Sequence, residues 1–399
     1  MNQAARPAVA GGRPVRDTPL PYGRHQLYDG DEEAVLRALR SGMLTGGTEV
    51  GAFEAALAER CGARHAVAVS SGTAALHVAL GALGIGPGDE MVTTPLTFVA
   101  SANAALFCGA TPVFADIGDD HCLDPAATAA SVTPRTRAVI AVDYSGLPVD
   151  VDALRTALPR DLPVVVDAAH SLGGSLRGRP VGALGTVTTL SFHPVKQIST
   201  GEGGACLTDD DALAEAMRRL RNHGMTSTAA ERTGARWRYD VVTLGTNYRI
   251  TELQAALGSS QLRHLDDVVR RRAALARRYD EALRDIPGVV RPGWFEGRES
   301  AWHIYPVEID AAEFGMQRDD VIDALRAEGI EATLHYPAVH TLSLYRELGY
   351  AAGIVPRAEA VCARLVTLPL FPTMSDRDLD DVLVALRRLH EWSRHSAAV

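Results

Sequence analysis

The sequence predicts an α/β fold, in which a large domain with a mostly parallel seven-stranded sheet between helices is followed by a smaller C-terminal α+β domain. Two observations carry this. From Gly62 to Arg221, short apolar runs alternate with helical segments, the pattern of a buried parallel sheet whose crossovers are helices. Beyond Asn247 that alternation stops, and a long helical stretch leads into a mixed unit.

The first twenty residues are rich in Ala, Gly and Pro and read as a flexible tail; they lack the apolar segment and cleavage site of a signal peptide. A helix is expected over 31–40, where Val35, Leu36 and Leu39 recur at helical spacing and Ser41-Gly42 ends the pattern. A second follows over 50–61, with Phe53, Leu57 and Ala58 on one face, after the flexible connector LTGGTE. Strands are then expected over 65–69, 90–94, 111–117, 138–143, 164–168, 187–192 and 205–208. Helices over 73–83, 97–108, 151–158 and 211–221 alternate with them. Residues 251–284 read as one long helix or a kinked pair, with Leu253, Ala256, Leu257, Leu262 and Leu265 spaced for packing. A strand over 305–309, a helix over 317–328, a loop from His335 to His340 and a last helix over 376–390 make the smaller unit. The division implied is a tail over 1–20, a large cofactor-binding domain over 21–255 and a small domain over 256–399.

Composition narrows the function. A formal charge of -9 opposes nucleic acid as a partner, because phosphate backbones demand a basic footprint. Five cysteines, an odd number without a CxxC pair, suit buried thiols in a reducing cytoplasm and oppose a disulfide framework or a metal site. No run approaches the roughly 20 apolar residues of a membrane helix. A cytoplasmic protein with no membrane partner is the expectation.

Three pieces can carry chemistry. Lys196 sits in the polar loop of SFHPVKQISTGEGG, where Pro194 excludes a helix and the glycines make the connection compact. A desolvated lysine loses its proton readily and becomes a nucleophile, although most loop lysines are solvated surface charges. Ser70-Ser71-Gly72-Thr73 falls where a strand ends and a helix begins, which makes either an anion site or a plain N-cap. Asp167 ends an apolar strand, where ligands of such sheets bind, and a buried carboxylate there needs a positive partner; a helix cap is the competing explanation. Phosphate cup, aspartate and lysine in this order are what pyridoxal phosphate requires: an anion site, a counter-ion for the ring nitrogen and an amine for the aldehyde. Phe98 can offer the ring an apolar face or be a core residue.

The stretches SSGTAALHVAL, TPLTFVASANA, VVVDAAHSLGG, SFHPVKQISTGEGG and TLGTNYRITELQAALGSSQL together resemble the DegT/DnrJ/StrS sugar aminotransferases, of the fold type I (aspartate aminotransferase) class of pyridoxal phosphate enzymes. The resemblance covers nearly the whole chain from Pro21. With HYPAVH and LYRELGY it leans toward the branch that aminates 4-keto-6-deoxy sugars on a nucleotide, as in pseudaminic acid precursor synthesis. It implies that Lys196 holds the cofactor as a Schiff base and that Asp167 pairs with the ring nitrogen. It implies phosphate contacts from Ser71, Gly72, Thr73 and Ser191, stacking by Phe98, and a contact of His170, where many relatives carry glutamine, with the ring oxygen. The family is a homodimer with sites at the interface, so Asn247 is expected to reach the partner's phosphate with Arg249 close by. Glu202, Arg249, His335, Tyr336 and His340 are candidates for substrate contact, against the plainer readings of a tight turn, a surface salt bridge and structural histidines. The implied reaction is a ping-pong transamination from L-glutamate to a keto sugar nucleotide. Relatives with histidine in place of the lysine dehydrate instead, and lysine is present here. An aminotransferase for a cyclitol or aminoglycoside precursor and a non-catalytic cofactor-binding regulator are the alternatives.

Overall fold

The computed structural model describes residues 6–226 and 238–396; residues 1–5 of the expected tail, 227–237 of the large domain and 397–399 of the small one lie outside the described residues. Seven strands form the central sheet: β1 (His65–Val69), β2 (Glu90–Thr93), β3 (Thr111–Phe114), β4 (Thr136–Val142), β5 (Val164–Asp167), β6 (Val187–Ser191) and β7 (Gly204–Thr208). Their order is β1-β7-β6-β5-β4-β2-β3, and β7 alone runs against the others. The parallel direction of the remaining six brings their carboxyl ends to one edge.

Helices cover both faces because the strands are apolar on both. The helices of this unit are α1 (Asp31–Arg40), α2 (Thr48–Cys61), α3 (Gly72–Ala82), α4 (Ala100–Phe107), α5 (Pro125–Ala130), α6 (Val151–Ala157) and α7 (Asp211–Arg221). Alternate residues of β4 serve two cores. Val139 and Ala141 lie in the core with Phe53 and Leu57 of α2 and Leu154 of α6. Ala138 and Ile140 lie in the one with Ala75 and Ala79 of α3 and Ala104 of α4.

Several boundaries differ from the sequence expectation. Helix α4 starts at Ala100, not 97, because Phe98 turns its carbonyl to the Ser101 N–H and Thr97 spends its hydroxyl on Ser101. Strand β3 stops at Phe114; Ile117 pairs separately with Leu123. The 251–284 stretch is a pair, α8 (Glu252–Leu262) and α9 (Leu265–Ala282), broken at His264. A capping box of Thr251 and Gln254 starts α8. Since Ala256 of α8 packs on Ala34 and Ala38, α8 belongs with the large unit, and the boundary expected after 255 falls inside it. Helix α9 runs from one core into the other, with Leu265 in the first and Leu275 and Tyr279 in the second.

The second core is covered by α10 (Ala311–Phe314), α11 (Arg318–Ala327) and α14 (Asp376–Ser396), and built on an antiparallel sheet of β8 (Val289–Val290), β9 (Tyr305–Ile309) and β10 (Leu365–Leu368). Helices α12 (Ser343–Glu347) and α13 (Pro356–Arg364) lie in the loop before β10; neither they, α5, β8 nor β10 stood out in the sequence. The described part of the expected flexible tail is tied down here. Leu20 joins this core and bridges to Ile330. The fully buried Glu328 accepts the Ala8 and Val15 N–H groups at 2.8 Å each, and Arg16 pairs with Asp378 and Asp381. Its Ala, Gly and Pro content hid these polar partners.

Candidate active site

A cavity of about 440 Å³ opens at the carboxyl edge of the sheet. Strand β5 delivers Asp167 to it, β6 delivers Ser191, and the turn after β6 delivers Lys196. That turn is fixed by its backbone: Phe192 donates to Gly203, Thr200 to Phe192 at 3.0 Å, and Lys196 to His193 at 2.9 Å. No regular element carries the lysine, so these hydrogen bonds aim it.

Opposite the amine lies the start of α3. Ser71 caps the helix, accepting the Ala74 N–H at 3.1 Å, and the first-turn N–H groups of Gly72 and Thr73 have no acceptor within the helix. The approach of β6 is tight: a Cβ on Gly72 would meet Ser191 Cβ at 2.8 Å. Glycine therefore lets the Ser191 hydroxyl stand beside bare N–H groups at the positive end of a helix, an arrangement that attracts phosphate.

Two charges dominate the cavity. Asp167 is buried, which pushes its carboxyl above the ordinary range, while Ser101 Oγ (2.7 Å) and the Ala169 N–H (3.2 Å) donate to it and hold it down. Burial lowers Lys196 from 10.5 to about 7; Asp167 opposes this and the Arg272 guanidinium adds to it. Near neutral pH the amine is thus poised between base and acid. His170 places Nε2 3.2 Å from the Tyr336 hydroxyl, and its Nδ1 has no partner among the described residues.

The DegT/DnrJ/EryC1/StrS aminotransferase family model matches residues 26–387. The chain belongs to this family. It is 42% identical over 374 residues to the spore coat polysaccharide biosynthesis protein SpsC of Bacillus subtilis (strain 168), covering 92% of this chain and 96% of that one. Among solved structures it is similar to PseC of Helicobacter pylori, an aminotransferase involved in the biosynthesis of pseudoaminic acid, with 31% identity and a TM-score of 0.87 over 94% of this chain and 100% of that one. It is also similar to DesI, whose structure was determined in the presence of its TDP-sugar product, with 36% identity and a TM-score of 0.88 over 97% of each chain.

As a member of the family the protein is a pyridoxal phosphate-dependent aminotransferase. The residues present fit the cofactor: a glycine cradle at a helix start, a buried carboxylate and a poised amine face one cavity, and the buried Nδ1 of His170 is left over. Phe98 lines the cavity, 56% exposed, with its ring 5.9 Å from that of Tyr336. His335, Tyr336 and Glu202 line it too. Tyr144 donates to the His335 carbonyl, and burial lowers the His335 imidazole to about 4.

Three expected residues do not reach the cavity of this aminotransferase chain. His340, expected among the substrate contacts, is fully buried 2.9 Å from Glu359 and against the Phe114 ring, outside the residues that line the cavity. Asn247 and Arg249 are exposed; Asn247 bridges to Asn222, and Arg249 donates to the Asn222 side chain. Sequence reasoning missed Ser101 and His303. Ser101 stands four residues after Thr97, which precedes the helix, and joins it to Asp167. His303 comes from the segment before β9 and lies 3.4 Å from Lys196 Nζ. An i, i+4 pair of hydroxyls was a readable signal for the first; nothing local marked the second.

Proposed function

We propose that this aminotransferase moves the amino group of L-glutamate to the keto carbon of a nucleotide-linked sugar, a 4-keto-6-deoxy sugar, with Lys196 and Asp167 as its reactive pair. The observation that carries the assignment is the convergence of the Lys196 amine, the Asp167 carboxylate and the α3 start on one cavity. Similarity to a polysaccharide biosynthesis protein and to an enzyme solved with a TDP-sugar product supports the substrate class.

Pyridoxal phosphate, when bound, supplies an aldehyde that takes the amino group and a ring that delocalises an electron pair. Lys196 would hold it covalently; Gly72, Thr73, Ser71 and Ser191 would hold its phosphate, His170 its ring oxygen, and Phe98 one face. With the donor bound, the neutral Lys196 amine would take the donor's α-proton at Nζ and deliver it to the cofactor, a two-way task suited to an amine held near 7. Asp167 would keep a proton on the ring nitrogen, and Ser101 and the Ala169 N–H hold the carboxylate in place for that role.

Lys196 is the only Lys or Arg among the described residues lining the cavity, too little positive charge for two phosphates of a nucleotide and two carboxylates of glutamate. In the homodimer proposed here a second subunit meets that deficit with Arg249 and adds Asn247 as a neutral hydrogen-bond donor. Exposed Leu36, Leu39, Met43 and Leu44 on and after α1, with Val241, Val242 and Leu244, offer the apolar surface for it.

Lys196→Ala is expected to abolish the visible absorbance of the bound cofactor and all turnover. Retained glutamate-dependent amination in that variant would sink the assignment. Incubating the wild type with a panel of keto sugar nucleotides, read by mass and by NMR coupling constants, identifies the sugar and the carbon; amination of a free cyclitol alone would overturn the substrate class.

A further inference from the structure

His303 is held with unusual care for a residue far in sequence from the site. Its backbone N–H donates to the Ser145 carbonyl at 2.9 Å, and two residues earlier the Ala301 N–H donates to Gly146 at 2.9 Å. Its carbonyl accepts from Arg272 Nη1 at 2.9 Å, and the same guanidinium reaches the carbonyls of Leu370, at 2.9 Å, and of Val195, at 3.3 Å, next to the lysine. Ser145 (φ 59°) and Trp302 (φ 47°) both take the left-handed region, which non-glycine residues hold only when the surrounding frame fixes them. Gly146 fits between the two buried histidines: a Cβ there would meet the Trp302 nitrogen at 2.8 Å, and the His170 carbonyl and His303 nitrogen at 2.9 Å. The outcome of this frame is an imidazole with Nε2 3.4 Å from Lys196 Nζ, its ring 4.2 Å from that of His170, and an Nδ1 without a partner among the described residues.

We infer that His303 is a positioning residue for Lys196: its neutral imidazole accepts an N–H of the lysine at Nε2, fixing the direction of the amine and helping it keep a proton. The inference rests on Lys196 being the cofactor lysine. Burial, Lys196, His170, Arg272 and His335 all disfavour a charge on His303, so the imidazole stays neutral at physiological pH. A neutral acceptor stabilises the ammonium form of its donor. Burial and Arg272 drive the lysine toward the free amine, while Asp167 favours the ammonium, and Tyr336 nearby is neutral because burial raises its phenol. His303 adds to the side that favours the proton. The freed lysine must both take and return one proton, so a partner that keeps the two forms close in energy serves both directions. In the ammonium state one proton stays on Nζ, shared with Nε2, and the imidazole carries its own on Nδ1.

The test uses the cofactor-free protein and low doses of acetic anhydride across pH, with acetylation of Lys196 read by peptide mass. His303→Phe keeps a ring beside His170 but removes the acceptor, and should move the titration midpoint of Lys196 down by about one unit. His303→Gln restores an acceptor and should bring the midpoint back toward wild type. An unchanged midpoint in His303→Phe, or a His303→Gln protein that matches it, overturns the inference. If His303→Phe does not fold, the wild type decides: imidazole nitrogen shifts must report the Nδ1–H tautomer below the midpoint, and an Nε2–H tautomer there overturns it. Borohydride trapping of the loaded wild type separates this from the functional reading. Lys196 left unmodified by borohydride in the loaded protein defeats that reading, while the acetylation midpoints still report whether His303 and Lys196 are coupled.

Discussion

Ser101 shows how a single hydroxyl can govern a buried carboxylate. It donates to Asp167 at 2.7 Å, and a hydrogen bond to an ionised group contributes about 1.5–3 kcal/mol. Ser101→Ala should lower kcat/KM by about 10- to 100-fold and move the acid limb of its pH profile upward, since losing a donor raises a carboxyl group's pKa. A variant with wild-type rate and limb would show that Asp167 is oriented by other groups. The lysine yields a second expectation. Its folded value of about 7 lies below the ordinary 10.5, so the neutral amine dominates above about 7. The rate at which cofactor-free protein takes up pyridoxal phosphate, followed by absorbance, should rise with pH to about that value and then level; a rise continuing toward pH 10 would mean an unshifted lysine. Between those two values the unfolded chain binds the extra proton, so this group adds stability to the cofactor-free fold as pH climbs from about 7 to 10.5. Lys196 and Asp167 could be read from sequence because each follows an apolar strand whose end is a ligand position. His303 could not, because its partner is 107 positions away and only the packing of two units brings them together.

The Tyr144–Gly146 turn after β4 is the element on which that packing depends. Gly146 has φ 105° and faces backbone atoms closer than any Cβ tolerates. Gly146→Ala should destabilise the protein by about 2–5 kcal/mol in urea unfolding, from strain and overpacking together. It should also lower activity further than an equally destabilising core substitution such as one in α14; equal losses would mean the turn serves the fold alone. The long elements were legible: apolar runs alternating with helical periods can hardly be anything but a parallel sheet with crossovers. Short ones were not. Strand β10, four residues of Leu-Val-Thr-Leu, is a strand only because β9 lies beside it, and the start of α4 was misplaced because a hydroxyl network outcompeted helix propensity at Thr97.

The molecule as a whole carries apolar surface that a monomer leaves in water, with Leu244 92% exposed and Leu39 52%. Light scattering should find a dimer, and Leu39→Asp with Leu244→Asp should give monomers with weakened cofactor binding, as Asn247 and Arg249 of the second copy leave. A monomeric wild type that binds cofactor fully would refute the shared site. Which cation meets which phosphate was illegible in one sequence, since in the proposed homodimer the answer would lie between two copies of it. The division into units was partly legible, since the loss of alternation after Asn247 was visible, but α9 belongs to both cores and no composition change marks the crossing. One arrangement reaches back to how the protein is made. Val15 and Arg16 pair with Glu328 and Asp378, which follow them by 313 and 362 positions, and Leu20 bridges to Ile330. The small unit therefore cannot close until the chain through Asp378 has left the ribosome. Until then the apolar sides of α9 and β9 wait uncovered, a long interval in which a chaperone has something to hold.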